Sequence, residues 1–157
     1  MAVEALSNTA DLEDAREKLI QCISGLEDAT LDDPNVVGKW NIREALAHVL
    51  AWDKWGEEAL AALERGETPP RPRADELNQP ALEQHRGASV AELERLLRNA
   101  RLAIISRLAA MSDEERSEPR FKLEGKLISA NDFVDGFIDH DREHSCDIRA
   151  WRKCKGL

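Results

Sequence analysis

An all-α fold, a four-helix bundle, is the fold class that this sequence predicts, and three observations support it. Four stretches of about 20 residues place apolar side chains at i, i+3, i+4 and i+7, which is typical of a helix with one buried face. Capping residues stand before three of these stretches. The sequence shows no heptad repeat and no pair of strands joined by a hairpin turn. Four such helices are expected to pack as one bundle, with short extra helices in the long connections.

The first two helices are predicted at about residues 4–26 and about residues 42–65. The first stops before an Asp-Asp-Pro-Asn loop signal. Asn41 and Glu44 form a capping-box pattern at the start of the second, and Gly66 follows its last turn. These two helices are therefore expected to be joined by a loop of moderate length.

The last two helices are predicted at about residues 90–110 and about residues 130–153. Ser89 and Glu92 form a capping box before the first of them, and Ser129 caps the other. Four arginines are predicted to lie off the apolar stripe of the third helix and to face solvent: Arg95, Arg98, Arg101 and Arg107.

The two long connections are predicted to contain further short helices. One covers residues 74–84, and another begins at the Ser112-x-x-Glu115 pattern. Long loops in a compact helical domain are often functional. A length of 157 residues suits one domain, which we place at 1–157.

Composition excludes several classes of partner. A net charge of −9 argues against nucleic acid and anionic membranes, and no apolar run approaches a membrane span. The first ten residues lack the pattern of a signal peptide. Cys22, Cys146 and Cys154 have no C-x-x-C spacing and are interpreted as free thiols. These features predict a soluble cytoplasmic protein whose partner is a small molecule.

The histidines indicate a metal site. His140 and His144 are spaced i, i+4, which stacks their side chains on one face of a helix. With His48 from the second helix they would form a three-nitrogen site for zinc or nickel, leaving one position for water or substrate. Trp52 and Trp55 follow His48 and could line an apolar substrate pocket. The alternative is that the histidines are hydrogen-bonded core residues.

Several polar residues near these histidines have open roles. Asp141 lies on an apolar arc, where it could orient a histidine, act as a general base, or form a buried ion pair or hydrogen bond, which we favour. Asp53 could mark the point where its helix leaves the core. Glu44 could reach the substrate pocket or serve only as a cap partner, and His85 is expected at the surface.

Two segments resemble the DinB-like (damage-inducible or YfiT-like) superfamily. In that family a G-x-W-[ST]-[VI] stretch leads into a helix that ends L-x-H-[LV]. Residues 34–52 follow this pattern except that Asn41 stands where the family has Ser or Thr. Residues 140–151 are similar to the family's H-x-x-x-H final helix. Asn78 stands where many members carry an asparagine.

The resemblance implies an up-down-down-up bundle, often a homodimer, with one zinc or nickel ion per chain held by His48, His140 and His144. Relatives include thiol-dependent isomerases and S-transferases, so a low-molecular-weight thiol is a second expected cofactor. Others confer resistance to a reactive cyclopropane-bearing toxin (the colibactin self-protection-like branch), and the tryptophan-rich second helix looks similar to that branch.

Three functions compete at this point. The first is a metal-dependent hydrolase or thiol S-transferase or isomerase that activates water or a thiol against a small electrophile. The second is a non-catalytic protein that binds and sequesters a small molecule. The third is a structural or regulatory dimer whose histidines hydrogen-bond to one another and to Asp141.

Overall fold

The protein is described from a computed structural model covering residues 2–69 and 71–157, with the backbone alone for residues 2–7. Its long helices lie where the sequence predicts them. The elements in chain order are α1 (Ala2–Ile23), a 3-10 helix (Asp28–Asp32), α2 (Ile42–Glu64), α3 (Ala74–Gln84), α4 (Val90–Ala110), α5 (Asp113–Ser117), β1 (Phe121–Leu123), β2 (Lys126–Ile128) and α6 (Ala130–Lys155).

The four long helices run up-down-down-up, as the family resemblance implies. Contacts show that α1 is parallel to α6 and antiparallel to α4, whereas α2 is antiparallel to α6 and parallel to α4. For α1 and α6 these contacts are Arg16–Asp141 and Cys22–Ser145, and for α1 and α4 they are Arg16–Leu97 and Leu12–Arg101. For α2 and α6 they are His48–His144 and Trp55–Phe133, and for α2 and α4 they are Asp53–Arg101 and Glu57–Arg107.

The predicted caps fix where the helices begin. Asn41 and Glu44 form a complete capping box at α2, with a Glu44 N–H to Asn41 Oδ1 distance of 2.8 Å between heavy atoms. Ser129 caps α6 in the same way, and the Ser89 hydroxyl accepts from the N–H of Glu92. α1 ends at Ile23, three residues earlier than the predicted boundary at 26.

The prediction that the chain has no hairpin is wrong. β1 and β2 pair antiparallel through a two-residue turn at Glu124 and Gly125, which have φ values of 50° and 80°. Two positive φ values are what the hairpin turn of type I′ requires, and Asn-Gly rather than Glu-Gly is its usual sequence signal. Phe121 of β1 is buried and stacks on Phe133 of α6, which holds the hairpin against the bundle.

A layer of charged side chains separates the two larger apolar clusters of the core. Each long helix contributes one member: Arg16 from α1, Asp53 from α2, Arg101 from α4 and Asp141 from α6, all at most 2% exposed. One cluster, which includes Leu19 and Leu97, lies on one side of this layer, and the other, which includes Leu12 and Phe133, lies on the opposite side.

Hydrogen bonds link all four charges of this layer. The Arg16 guanidinium donates to both oxygens of Asp141, at 2.8 and 3.0 Å, and to Asp53 at 2.5 Å. Arg101 lies 3.1 Å from Asp141 and 3.5 Å from Asp53. Burial alone would lower the pKa of Arg16, but the charges of Asp53 and Asp141 raise it above its usual value. The positive charges of two arginines and the negative charges of two carboxylates thus cancel within the core.

Two expectations are corrected by this layer. Arg101 was predicted to face solvent but is buried, because it lies four residues after Leu97 and three before Ile104 on the buried stripe. Asp53 does not mark where α2 leaves the core, because Arg16 and Arg101 neutralise it there. Arg95 and Arg98 are exposed as predicted.

Two glycines of the bundle should respond in opposite ways to alanine. A Cβ at Gly56 of α2 would lie 2.4 Å from the ring of Phe137, whereas a Cβ at Gly136 of α6 meets nothing within 4 Å. We expect Gly56→Ala to lower the free energy of unfolding by roughly 1–3 kcal/mol through overpacking. Gly136→Ala should raise it by up to about 1 kcal/mol through helix propensity. Urea unfolding measures both, and equal effects of the two changes would contradict the tight contact at Gly56.

Candidate metal centre and adjoining pocket

Three histidine side chains converge between α2 and α6. The Nε2 atom of His140 lies 2.8 Å from Nε2 of His48 and 2.9 Å from Nε2 of His144. One nitrogen of each ring can be chosen so that all three lie within 4.8 Å of one another. Because His140 and His144 are four residues apart on one face of α6, both rings contact the ring of His48 on α2.

The tautomer of His48 is set by Asn78 of α3. The amide oxygen of Asn78 lies 2.9 Å from Nδ1 of His48, and an amide oxygen only accepts hydrogen bonds. Nδ1 of His48 therefore carries the hydrogen, and its Nε2 presents a lone pair to the other two rings. Buried at 8% exposure, Asn78 is a fixed partner of the kind that orients metal-ligating histidines.

The donor set fits a cation better than it fits three neutral rings alone. Each neutral Nε2 carries either a hydrogen or a lone pair, so one hydrogen at His140 would have to serve both of its short contacts. A metal ion would satisfy all three lone pairs at once. Tetrahedral zinc with Zn–N bonds of 2.0–2.1 Å places its ligands roughly 3.3 Å apart. His48 and His144 would each move a few tenths of an ångström away from His140, and the ligand atoms of the remaining pair, which lie within 4.8 Å of each other, would move to the same spacing.

The histidines are held neutral, as metal ligation requires. Burial, reinforced by the charges of His144 and His48, lowers the pKa of His140 from 6.5 to about 3. Burial also lowers the pKa of His48, against a smaller opposing effect of its hydrogen bond to Asn78. The pKa of His144 is lowered by burial as well, although nearby carboxylates including Asp147 oppose this. At neutral pH no ring must lose a proton before it can bind a cation.

A pocket of about 500 Å³ opens beside this cluster. Its walls are aromatic: Trp52 packs edge-on against Trp55 at 5.6 Å between ring centroids, and Trp55 packs against Phe133 at 5.5 Å. The indole N–H of Trp52 is buried without a hydrogen-bond acceptor among the described residues. The remaining lining residues include His48, His140, Arg71, Leu123, Ile128, Asp132, Gly136, Phe137, Asp139 and Glu143.

The structure separates the predicted site residues into two groups. His48, Trp52 and Trp55 share the pocket with His140, while His144 lies beneath it with 7% of its surface exposed. Glu44 is absent from this pocket and serves as the cap partner of Asn41, next to a separate depression.

Asp141 adopts the ion-pair alternative. Both of its oxygens accept hydrogen bonds from Arg16, and it is fully buried away from the pocket lining. A catalytic role for Asp141 therefore finds no contact in this geometry. His85 is half-buried at the end of α3, and Cys146 is exposed on α6.

Sequence reasoning did not predict two features of the site. The hairpin closes one side of the pocket through Leu123 and Ile128, and its turn residue Glu124 forms an ion pair with Arg71. A strip of carboxylates on α6, at Asp132, Asp139 and Glu143, lines another side. Their spacing along one helix face was the available signal for the strip.

An up-down-down-up bundle with three histidines at the edge of an aromatic pocket places this protein in the class of DinB-like helical bundles. A profile of the DinB superfamily matches residues 11–145. The chain therefore belongs to the DinB superfamily, as the two motifs of the sequence indicate.

Solved structures agree with this assignment at the level of fold. A protein of Clostridium difficile 630 shares 18% identity over 95% of each chain, with a TM-score of 0.82. A Streptococcus pneumoniae protein shares 19% identity, with a TM-score of 0.81, over 95% of this chain and 90% of its own.

A third structure is a mycothiol-dependent maleylpyruvate isomerase, 12% identical with a TM-score of 0.77, which matches 92% of this chain and 60% of its own. A fourth, the sibling lethal factor precursor DfsB, is 17% identical over 96% of each chain, with a TM-score of 0.74. No curated protein sequence matches the chain. Within the described residues, no helix has the length and apolar character that a membrane span needs.

Proposed function

We propose that this protein is a divalent-metal-dependent enzyme that activates water or a low-molecular-weight thiol against a small electrophile. The observation that carries the proposal is the convergence of three neutral Nε2 atoms at the edge of an apolar pocket. A zinc or nickel ion held by His48, His140 and His144 would lower the pKa of a bound water or thiol and so supply the nucleophile.

The surrounding residues have distinct parts in this proposal. Asn78 holds the His48 ring with Nε2 free for ligation. Trp52 and Trp55 bind the apolar part of the electrophile, and the hairpin covers one side of the pocket so that bulk water is partly excluded. The fold likeness to a mycothiol-dependent isomerase supports the thiol form of the reaction over the hydrolytic form.

A second candidate is a protein that binds a small molecule without turning it over. The aromatic pocket of about 500 Å³ suits a drug-sized ligand, and the buried carboxylate of Asp141 is already paired with Arg16. The two candidates differ in whether the bound molecule is chemically converted.

The test is turnover by metal-loaded protein. The wild type, loaded with zinc or nickel, is mixed with glutathione or mycothiol and 1-chloro-2,4-dinitrobenzene, and product formation is followed by absorbance. We expect a rate well above the background reaction, which a chelator and His140→Ala both abolish. Metal uptake with no rate above background for any thiol or for water would contradict the enzyme and favour the binding protein.

A further inference from the structure

One side of the pocket is a strip of acidic residues on α6. Asp132, Gly136, Asp139 and Glu143 all line it, and because they are spaced four, three and four residues apart they lie along one helix face. Gly136 leaves open space between the carboxylates, since a Cβ there would meet nothing within 4 Å. The strip therefore forms one continuous border of the pocket.

Two of these carboxylates are available to a ligand. The third, Asp132, already accepts a hydrogen bond from the backbone N–H of Ser129 in the capping box of α6. Asp139 and Glu143 are exposed and form no hydrogen bond or ion pair with another described residue. No described residue therefore pairs with the negative charges of Asp139 and Glu143.

The pocket offers little positive charge in return. Arg71 is the one cationic side chain among its lining residues in the described part of the chain, and its guanidinium is paired with Glu124. The same guanidinium lies 6.0 Å from the centre of the Trp52 ring. A carboxylate-bearing ligand would therefore meet unpaired Asp139 and Glu143, and no unpaired cationic side chain of the described lining would receive it.

The geometry points to a ligand that joins an apolar, ring-sized body to a protonated amine, and against its anionic counterparts. Trp52, Trp55 and Phe133 contact the apolar body, and the amine lies beside Asp139 and Glu143 at the exposed border. This inference rests on the proposed function, since it names the class of small molecule that the same pocket takes.

The test compares three probes with one apolar body: 4-phenylbutylamine, 4-phenylbutanol and 4-phenylbutyrate. Their dissociation constants are measured by tryptophan fluorescence and calorimetry at pH 7.5 and low salt, on protein as purified and after chelation. We expect the amine to bind at least about tenfold more tightly than the carboxylate, with the alcohol between them. The measurement after chelation excludes direct binding of the probe's carboxylate to a metal ion.

Two double variants remove the same amount of negative charge, one inside the pocket lining and one outside it. Asp139→Asn with Glu143→Gln should bring the amine-to-carboxylate ratio close to one. The control, Asp14→Asn with Glu58→Gln, removes one exposed aspartate and one exposed glutamate outside the pocket lining and should keep the ratio. Equal binding of amine and carboxylate by chelated wild type, or a preference that survives the first double variant, would overturn the inference. Because binding is the readout, an absence of turnover would leave this result standing.

Discussion

Replacing Asp141 with asparagine is expected to lower the free energy of unfolding by about 3–5 kcal/mol, the cost of removing one partner of a buried ion pair. Asp141 receives two hydrogen bonds from Arg16 and lies 3.1 Å from Arg101. Without its charge, Asp53 alone would face two buried arginines. Small domains have unfolding free energies of about 5–15 kcal/mol, so this one change removes a large share. Urea unfolding followed by circular dichroism measures the loss.

A double variant keeps this prediction testable even if the single variant unfolds. Arg16→Met with Asp141→Leu removes one positive and one negative charge and leaves Arg101 balanced by Asp53. We expect the double variant to be more stable than Asp141→Asn, because apolar replacement of a whole buried pair is often neutral or stabilising. Additive losses, without coupling between positions 16 and 141, would contradict the network. Glu17→Gln, which removes the exposed partner of Arg98, should have little effect.

Replacing His140 with alanine is expected to abolish stoichiometric metal binding, because the Nε2 atom of His140 lies between those of His48 and His144. The wild type should take up about one zinc or nickel ion per chain, as expected for three protein ligands with an open position. Mass spectrometry of the purified protein and competition with a chromophoric chelator measure content and affinity.

Metal affinity should fall less when the residue replaced only orients a histidine than when the residue replaced is itself a metal ligand. Asn78→Ala keeps all three ligands but removes the acceptor of the His48 Nδ1–H, so affinity should fall by roughly 10–100-fold rather than vanish. Asn99→Ala, at an exposed asparagine of α4, is the control and should bind as the wild type does. If His140→Ala retained wild-type affinity, the ion would lie elsewhere; if Asn78→Ala did, the assigned tautomer of His48 would be wrong.

Local signals account for what could be read from the sequence. Helix positions follow from apolar periodicity, and the capping boxes at Asn41 and Ser129 fix two starts, because these interactions involve residues three apart. The hairpin at Glu124 was missed for an equally local reason. Its strands have three residues each, and its turn lacks the asparagine that usually accepts a positive φ.

The i, i+4 spacing of His140 and His144 was enough to put two imidazoles on one face, and the family motif supplied His48 as the third. Only the tertiary structure decided which charges meet. Arg101 and Arg16 lie on apolar stripes, yet a charged side chain is normally expected at the solvent-exposed surface. They are buried because Asp53 and Asp141 neutralise their charges across the bundle. Arg16 and Asp141 are 125 residues apart, so their pairing depends on α1 lying parallel to α6, a relation that no local pattern encodes.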